Sequence, residues 1–177
     1  MKITLLIFFS LIMISCRTEK IKPSIDYTIK DEDIPTQESW NSKVIFSDSG
    51  KIKAILFAGH IRVFPQKYET LLDSGITVEF FDDYRNKTST LISKRGRVDD
   101  LRNDLYALDS VIVYSDSLTI LTELIKWRNE DRKIVSDKFV TILSPTEKIQ
   151  GYGFESDQSL KNYIIFNITY ATRRDSL

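Results

Sequence analysis

The chain offers few groups able to do chemistry. Cys16 is its only thiol and His60 its only imidazole, and a His/Cys metal centre needs several such ligands together. His60 has no second His or Cys to work with, so it reads as a structural or surface residue. The carboxylates of Asp82-Asp83 and Glu155-Ser156-Asp157 sit in polar, turn-like stretches and read as turn solvation. Gly151-Tyr152-Gly153 is a lone G-x-G inside a strand pattern, where Gly marks a bulge or a close backbone approach. No G-x-S-x-G elbow or phosphate-binding loop occurs. Asn86-Lys87-Thr88 and Asn167-Ile168-Thr169 have glycosylation spacing, but the export signal described next is bacterial. The sequence therefore points away from an enzyme, and implies no metal and no cofactor.

Cys16 is the exception, because of what precedes it. Met1-Lys2 gives a short basic start, and residues 3–14 are apolar apart from Thr4 and Ser10. That run is shorter than the roughly 17–25 residues of a spanning helix and matches a signal-peptide core. Met13-Ile14-Ser15-Cys16 then resembles a lipobox, with a small residue before the Cys that takes a thioether-linked lipid. Met13 stands where Leu is more usual, and the alternative is an ordinary signal peptide with an incidental Cys. At ~0.8 kcal/mol per buried CH₂, two acyl chains on Cys16 hold a protein stably at a membrane. The expected organisation is a leader over 1–15, a linker over 16–37, a β-domain over 38–170 and a tail over 171–177. The linker is polar, carries Pro23, Pro35 and Asp31-Glu32-Asp33, and at roughly 20 residues reaches ~25 Å.

What positions any further site must be sheet. The 177 residues are 42% apolar and 11% aromatic, enough for one core, and Val, Ile, Phe and Tyr favour strands. Lys+Arg 25 balances Asp+Glu 25, so nothing recruits nucleic acid. From Trp40 one pattern recurs about every 30 residues: apolar strand, polar turn, second strand. Val44-Ile45-Phe46 leads to Ser47-Asp48-Ser49-Gly50, and Val78-Glu79-Phe80-Phe81 to Asp82-Asp83-Tyr84-Arg85-Asn86. Val111-Ile112-Val113-Tyr114 leads to Ser115-Asp116-Ser117, and Val140-Thr141-Ile142-Leu143 to Ser144-Pro145-Thr146-Glu147. This predicts an all-β stack of antiparallel hairpins. Residues 65–72 suggest one or two helical turns or a loop crossing, and residues 163–169 the last strand.

The order of these segments resembles the LptC family of lipopolysaccharide-export proteins, in its Bacteroidetes-type lipoprotein form. The resemblance rests on five stretches: Val44 through Ala54, Gly75-Ile76-Thr77-Val78-Glu79-Phe80-Phe81-Asp82, and Leu121-Thr122-Glu123-Leu124-Ile125-Lys126-Trp127, then Ile134 through Ile142 and Gly151 through Asp157. Ser115-Asp116-Ser117 lacks a Gly common in the family at that turn, and Asp109-Ser110 stands where a Gly often precedes the next strand. The resemblance implies an open, V-shaped antiparallel β-roll (a β-jellyroll, folded like a taco) with an apolar interior that carries lipopolysaccharide. It implies a periplasmic location, with the inner membrane favoured for the anchor. The implied partners are an LptB/LptF/LptG-type transporter that extracts the lipid and an LptA-like bridge protein that receives it. An adaptor or structural β-solenoid with a closed core is the other reading.

Strand alternation selects Val111, Val113, Leu121, Ile125, Trp127, Val140, Ile142, Ile164 and Phe166 for the interior. For each, ordinary core packing is the alternative. Glu123 shares the parity of Leu121 and Ile125, so it lies at a groove rim or the parity there is off by one. Tyr163, Ile164, Ile165, Phe166, Asn167, Ile168 and Thr169 form the expected partner edge. Cys16→Ser is expected to block acylation and leave the precursor uncleaved. Mass spectrometry of the native protein reads this directly, and a mature N-terminus without acyl chains defeats the assignment.

Overall fold

A computed structural model describes residues 31–173; the leader, Cys16, most of the linker and residues 174–177 lie outside them. Ten antiparallel strands make one sheet. They are β1 (Gln37–Asp48), β2 (Lys51–Phe64), β3 (Glu69–Phe81), β4 (Lys87–Ser93) and β5 (Arg95–Asp99). There follow β6 (Asp104–Tyr114), β7 (Thr119–Arg128), β8 (Lys133–Leu143), β9 (Glu147–Ser156) and β10 (Tyr163–Arg173). Neighbours in sequence are neighbours in space. The one complication is β4 and β5, which run end to end between β3 and β6 and are broken at Lys94.

Helix is confined to short 3₁₀ turns among the described residues. Pro65–Lys67 is one of them and closes in Tyr68, whose φ is 51°. The helical turns or loop crossing expected over 65–72 give way to strand from Glu69, because Glu69, Thr70, Leu71 and Leu72 pair with both β2 and β5. The last strand also outruns its expected end. Tyr170, Ala171, Thr172 and Arg173 find partners in Gln150, Ile149, Lys148 and Glu147.

Irregularities fall at one height in strand after strand. The register shifts between Ala58 and His60 in β2, and Ser74 and Gly75 have φ of 63° and 87° in β3. Lys94 breaks β4 from β5, and its N–H and C=O bond Asp109 and Gly75 on either side (3.2 Å each). Further shifts occur at Leu108/Val111, Thr122/Lys126 and Ser136/Phe139. Bulges bend strands and sharpen their twist, so a row of them makes a crease across the whole sheet.

The crease folds the sheet over. The half holding turns 49–50, 82–86, 115–118 and 144–146 becomes one wall. The half holding turns 65–68, 100–103, 129–132 and 157–162 becomes the other. Across the mouth, Arg132 donates to Asp48 (3.3 Å) and Ser89 Oγ to the Gln158 carbonyl (3.4 Å). Leu118 and Leu160, one from a turn of each wall, are tucked into the core. Gly59 marks where β2 and β3 approach closest at the crease: a Cβ there would lie 2.4 Å from the Ser74 carbonyl oxygen. Gly59→Ala is therefore expected to destabilise the fold by about 1–3 kcal/mol, read as a lower urea midpoint at unchanged slope. A wild-type midpoint would mean that the crease does not need this approach.

Candidate lipid-binding groove

Register, strand by strand, builds the interior. In an antiparallel pair, directly opposed residues point to the same face. Following the pairs on the first wall gives Val44, Leu56, Val78, Leu91, Val113, Ile120, Ile142, Ile149 and Ala171 in one unbroken row. Every member is apolar, and from Leu56 to Ile142 none exceeds 3% exposure. On the second wall Val63, Thr70, Val98, Leu105, Trp127, Ile134, Ser156 and Tyr163 line up in the same way. The first row runs from edge to edge of the sheet, and the second runs from β2 to β10, with the exposed Gln37 opposite Val63 in β1.

Of the residues expected inside, Val111, Val113, Ile125, Val140 and Ile142 are buried in the common core, and Trp127 packs against it. Leu121, Ile164 and Phe166 need correcting: they face outwards, with 36%, 58% and 62% exposure. In β7 the bulge between Thr122 and Lys126 reverses the alternation. Ile120 and Thr122 point in above it, Ile125 and Trp127 below it. Glu123 sits at that bulge, exposed, accepting the Ser110 N–H at 3.2 Å. In β10 the residues packed against the core are Tyr163, which stacks near Phe154 (ring centroids 6.2 Å apart), and Ile165, while Ala171 at the end of the first row is exposed.

The walls touch through most of the interior, where Val113, Ile120 and Val140 are fully covered. At one part of the mouth they part and enclose a cavity of about 360 Å³. Phe46, Ala54, Val78 and Phe80 line it from the first wall and Val98, Leu105 and Trp127 from the second, with Lys53, Asn103, Asn129 and Gln158 around them. The Trp127 indole Nε1 is buried without a hydrogen-bond partner among the described residues, a state that costs about 1–3 kcal/mol.

Buried Asp104 fastens the strand end beside Trp127, accepting from Lys126 Nζ (2.7 Å) and the Asn129 N–H (2.9 Å). Burial alone would raise its pKa, but those two donors outweigh burial and hold the carboxyl below the usual range. Its stabilising effect is thus full above the unfolded carboxylate pKa and fades as acid takes the folded group through its lowered value.

β1 and β10 end the sheet, each paired on one side only among the described residues. The β10 edge is apolar-rich, with Ile164, Phe166, Ile168 and Tyr170 49–62% exposed. Tyr163 through Thr169, the expected partner edge, all lie on this strand.

The two faces should respond differently to charge. Ile142→Asp and Val113→Arg leave an unpaired charge in the core, at a cost of several kcal/mol. Leu121→Asp, on the outer face, is expected to change stability by less than about 1 kcal/mol. Thermal melts of the three variants check this, and an equal loss in all three would mean that the inner and outer faces are assigned wrongly.

Among the described residues no helix is long and apolar enough to cross a membrane. No curated protein matches the chain. A family model does, over residues 3–166, and its description is lipopolysaccharide-assembly, LptC-related. An all-β hairpin sheet beneath a match spanning nearly the whole sequence leaves one assignment: the chain belongs to the LptC-related family of lipopolysaccharide-assembly proteins.

Proposed function

We propose that this protein is a non-catalytic conduit for lipopolysaccharide. It takes the lipid from an LptB/LptF/LptG-type transporter in the inner membrane and passes it to an LptA-like bridge in the periplasm, while acylated Cys16 tethers it to the membrane. The observation that carries this reading is the unbroken apolar row from Val44 to Ala171. Exposing an acyl chain of about 14 carbons to water costs on the order of 10 kcal/mol at ~0.8 kcal/mol per CH₂, so a carrier must offer cover along the entire path. A row crossing nine of the ten strands offers it, and edges left unpaired among the described residues at both ends let partner strands extend it by β-augmentation.

A second reading is favoured by the contact between the walls. With Val113 and Val140 at 0% exposure, the interior resembles a closed core, as in a structural or adaptor module without a lipid path. Photocrosslinking in cells from a probe at position 127 separates the two. A lipid adduct supports the conduit, and a clean absence of one supports the adaptor.

The β10 edge provides a further test. Successive residues in a strand direct their N–H groups to opposite sides, so one of Ile164 and Ile165 donates towards the free edge. A Pro at that position removes an outward donor with modest effect on the sheet, whereas at the other it breaks a bond to β9. Of Ile164→Pro and Ile165→Pro, one is expected to stay folded and lose capture of the bridge protein in a pull-down. If both fold and capture it with wild-type affinity, docking does not run through β10.

A further inference from the structure

The cavity at the mouth is apolar on both walls, yet one cation lines it. Lys53 extends from β2 among Phe46, Ala54, Val78 and Phe80, and its ammonium hydrogen-bonds the Asp83 carboxylate in the 82–86 turn. Lys51 reaches the same carboxylate oxygen from 3.9 Å. Two ammonium groups thus share one carboxylate, while Asp48, opposite Lys51 in the ladder, is paired with Arg132, and Asp82 accepts from Asn86 and feels the Lys161 charge, so four cations face three carboxylates at the opening of an apolar space. Both Lys51 and Asp83 are more than half exposed, and Lys53 is 32% exposed, so the cluster is within reach of an incoming group. Asp83 stays ionised, because the Lys53 hydrogen bond first, and the Lys51 charge next, hold its carboxyl below the usual range.

An apolar seat beside surplus cationic charge fits an amphipathic anion. We propose that Lys53 and Lys51 form a headgroup subsite for the phosphate monoester of a lipid whose acyl chain enters the cavity, the phosphate taking the place of Asp83. This rests on the conduit reading and adds which part of the lipid is read, and where. A phosphate monoester suits the pair because it carries about −1.5 to −2 charge and three strong acceptor oxygens at pH 7, enough to serve both ammonium groups. A neutral headgroup would leave Lys53 with Asp83 and gain nothing from the exchange.

The chain has two tryptophans, so Trp40→Phe leaves Trp127, in the cavity wall, as the sole fluorescent reporter. With the full chain in that background, affinities for myristoyl lysophosphatidic acid, monomyristoylglycerol and glycerol phosphate are measured from Trp127 emission. Lysophosphatidic acid is expected to bind about tenfold tighter than monomyristoylglycerol, as for one charge-assisted contact, and glycerol phosphate not to bind detectably. Lys53→Gln should bring lysophosphatidic acid down to the affinity of the neutral lipid. Asp83→Asn, which removes the competing carboxylate, should widen the preference instead, a direction that mere loss of structure would not produce. Equal affinity for the two lipids, or a preference unchanged in both variants, overturns the subsite while leaving the groove reading standing. Failure of either lipid to bind overturns both.

Discussion

A sheet that buries one face against itself has to bend every strand, and hydrogen bonding between neighbours requires the bends to fall at matching heights. A bulge in β6 alone would break its ladder to β7; a bulge answered in β7 and again in β8 keeps each ladder paired on both sides of the fold. The shifts at Leu108/Val111, Thr122/Lys126 and Ser136/Phe139 are one such answered series, and Lys94 continues it through bonds to Gly75 and Asp109. Everything else in the molecule depends on that line. It decides which residues are inside on each wall, it brings turn 129–132 over turn 49–50, and it leaves the cavity where the walls diverge.

The closure of the mouth is slight compared with the crease. Arg132 and Asp48 are both more than half exposed, and ion pairs in such positions contribute about 0–1 kcal/mol. The apolar contacts beneath are much stronger, since burying a side chain such as Ile120 or Ile142 is worth about 1.5–3 kcal/mol. A ligand that supplies equivalent apolar contact can replace wall-to-wall packing at little net cost, because the covered area is conserved.

The hairpin pattern was legible because each repeat joins a β-branched run to an Asp/Ser-rich turn, and those local signals survive in the fold. Strands with sparse apolar content were not. Residues 95–99 read Arg-Gly-Arg-Val-Asp, and only Gly96 and Val98 share the inward face, so nothing announces a strand. Parity failed for a related reason. Val111, Val113, Val140 and Ile142 lie in stretches where alternation holds, but Leu121 and Ile125 stand on opposite sides of a bulge that no residue type marks, whereas the one in β6 falls at Asp109 and Ser110, both at positive φ where a Gly is common in the family. Leu118 and Leu160 reach the core from turns, and their burial is decided by the opposite wall rather than by neighbours in sequence. The Lys53–Asp83 pairing likewise joins residues from separate hairpins, beyond any local pattern.

Antiparallel strands cancel direction along their own axes, but the sheet is not symmetric across them. At one side β1 presents Ser39 before Trp40 and Asn41, Ser42 and Lys43 after it, with Asn41 in a left-handed kink (φ 50°). At the other, β10 presents Ile164, Phe166, Ile168 and Tyr170 and ends in Arg173. Two such edges differ in chemistry, so the sheet has two distinguishable ends. Any assembly built through them acquires a first member and a last, so a vector is written into a molecule whose interior is nearly featureless from end to end.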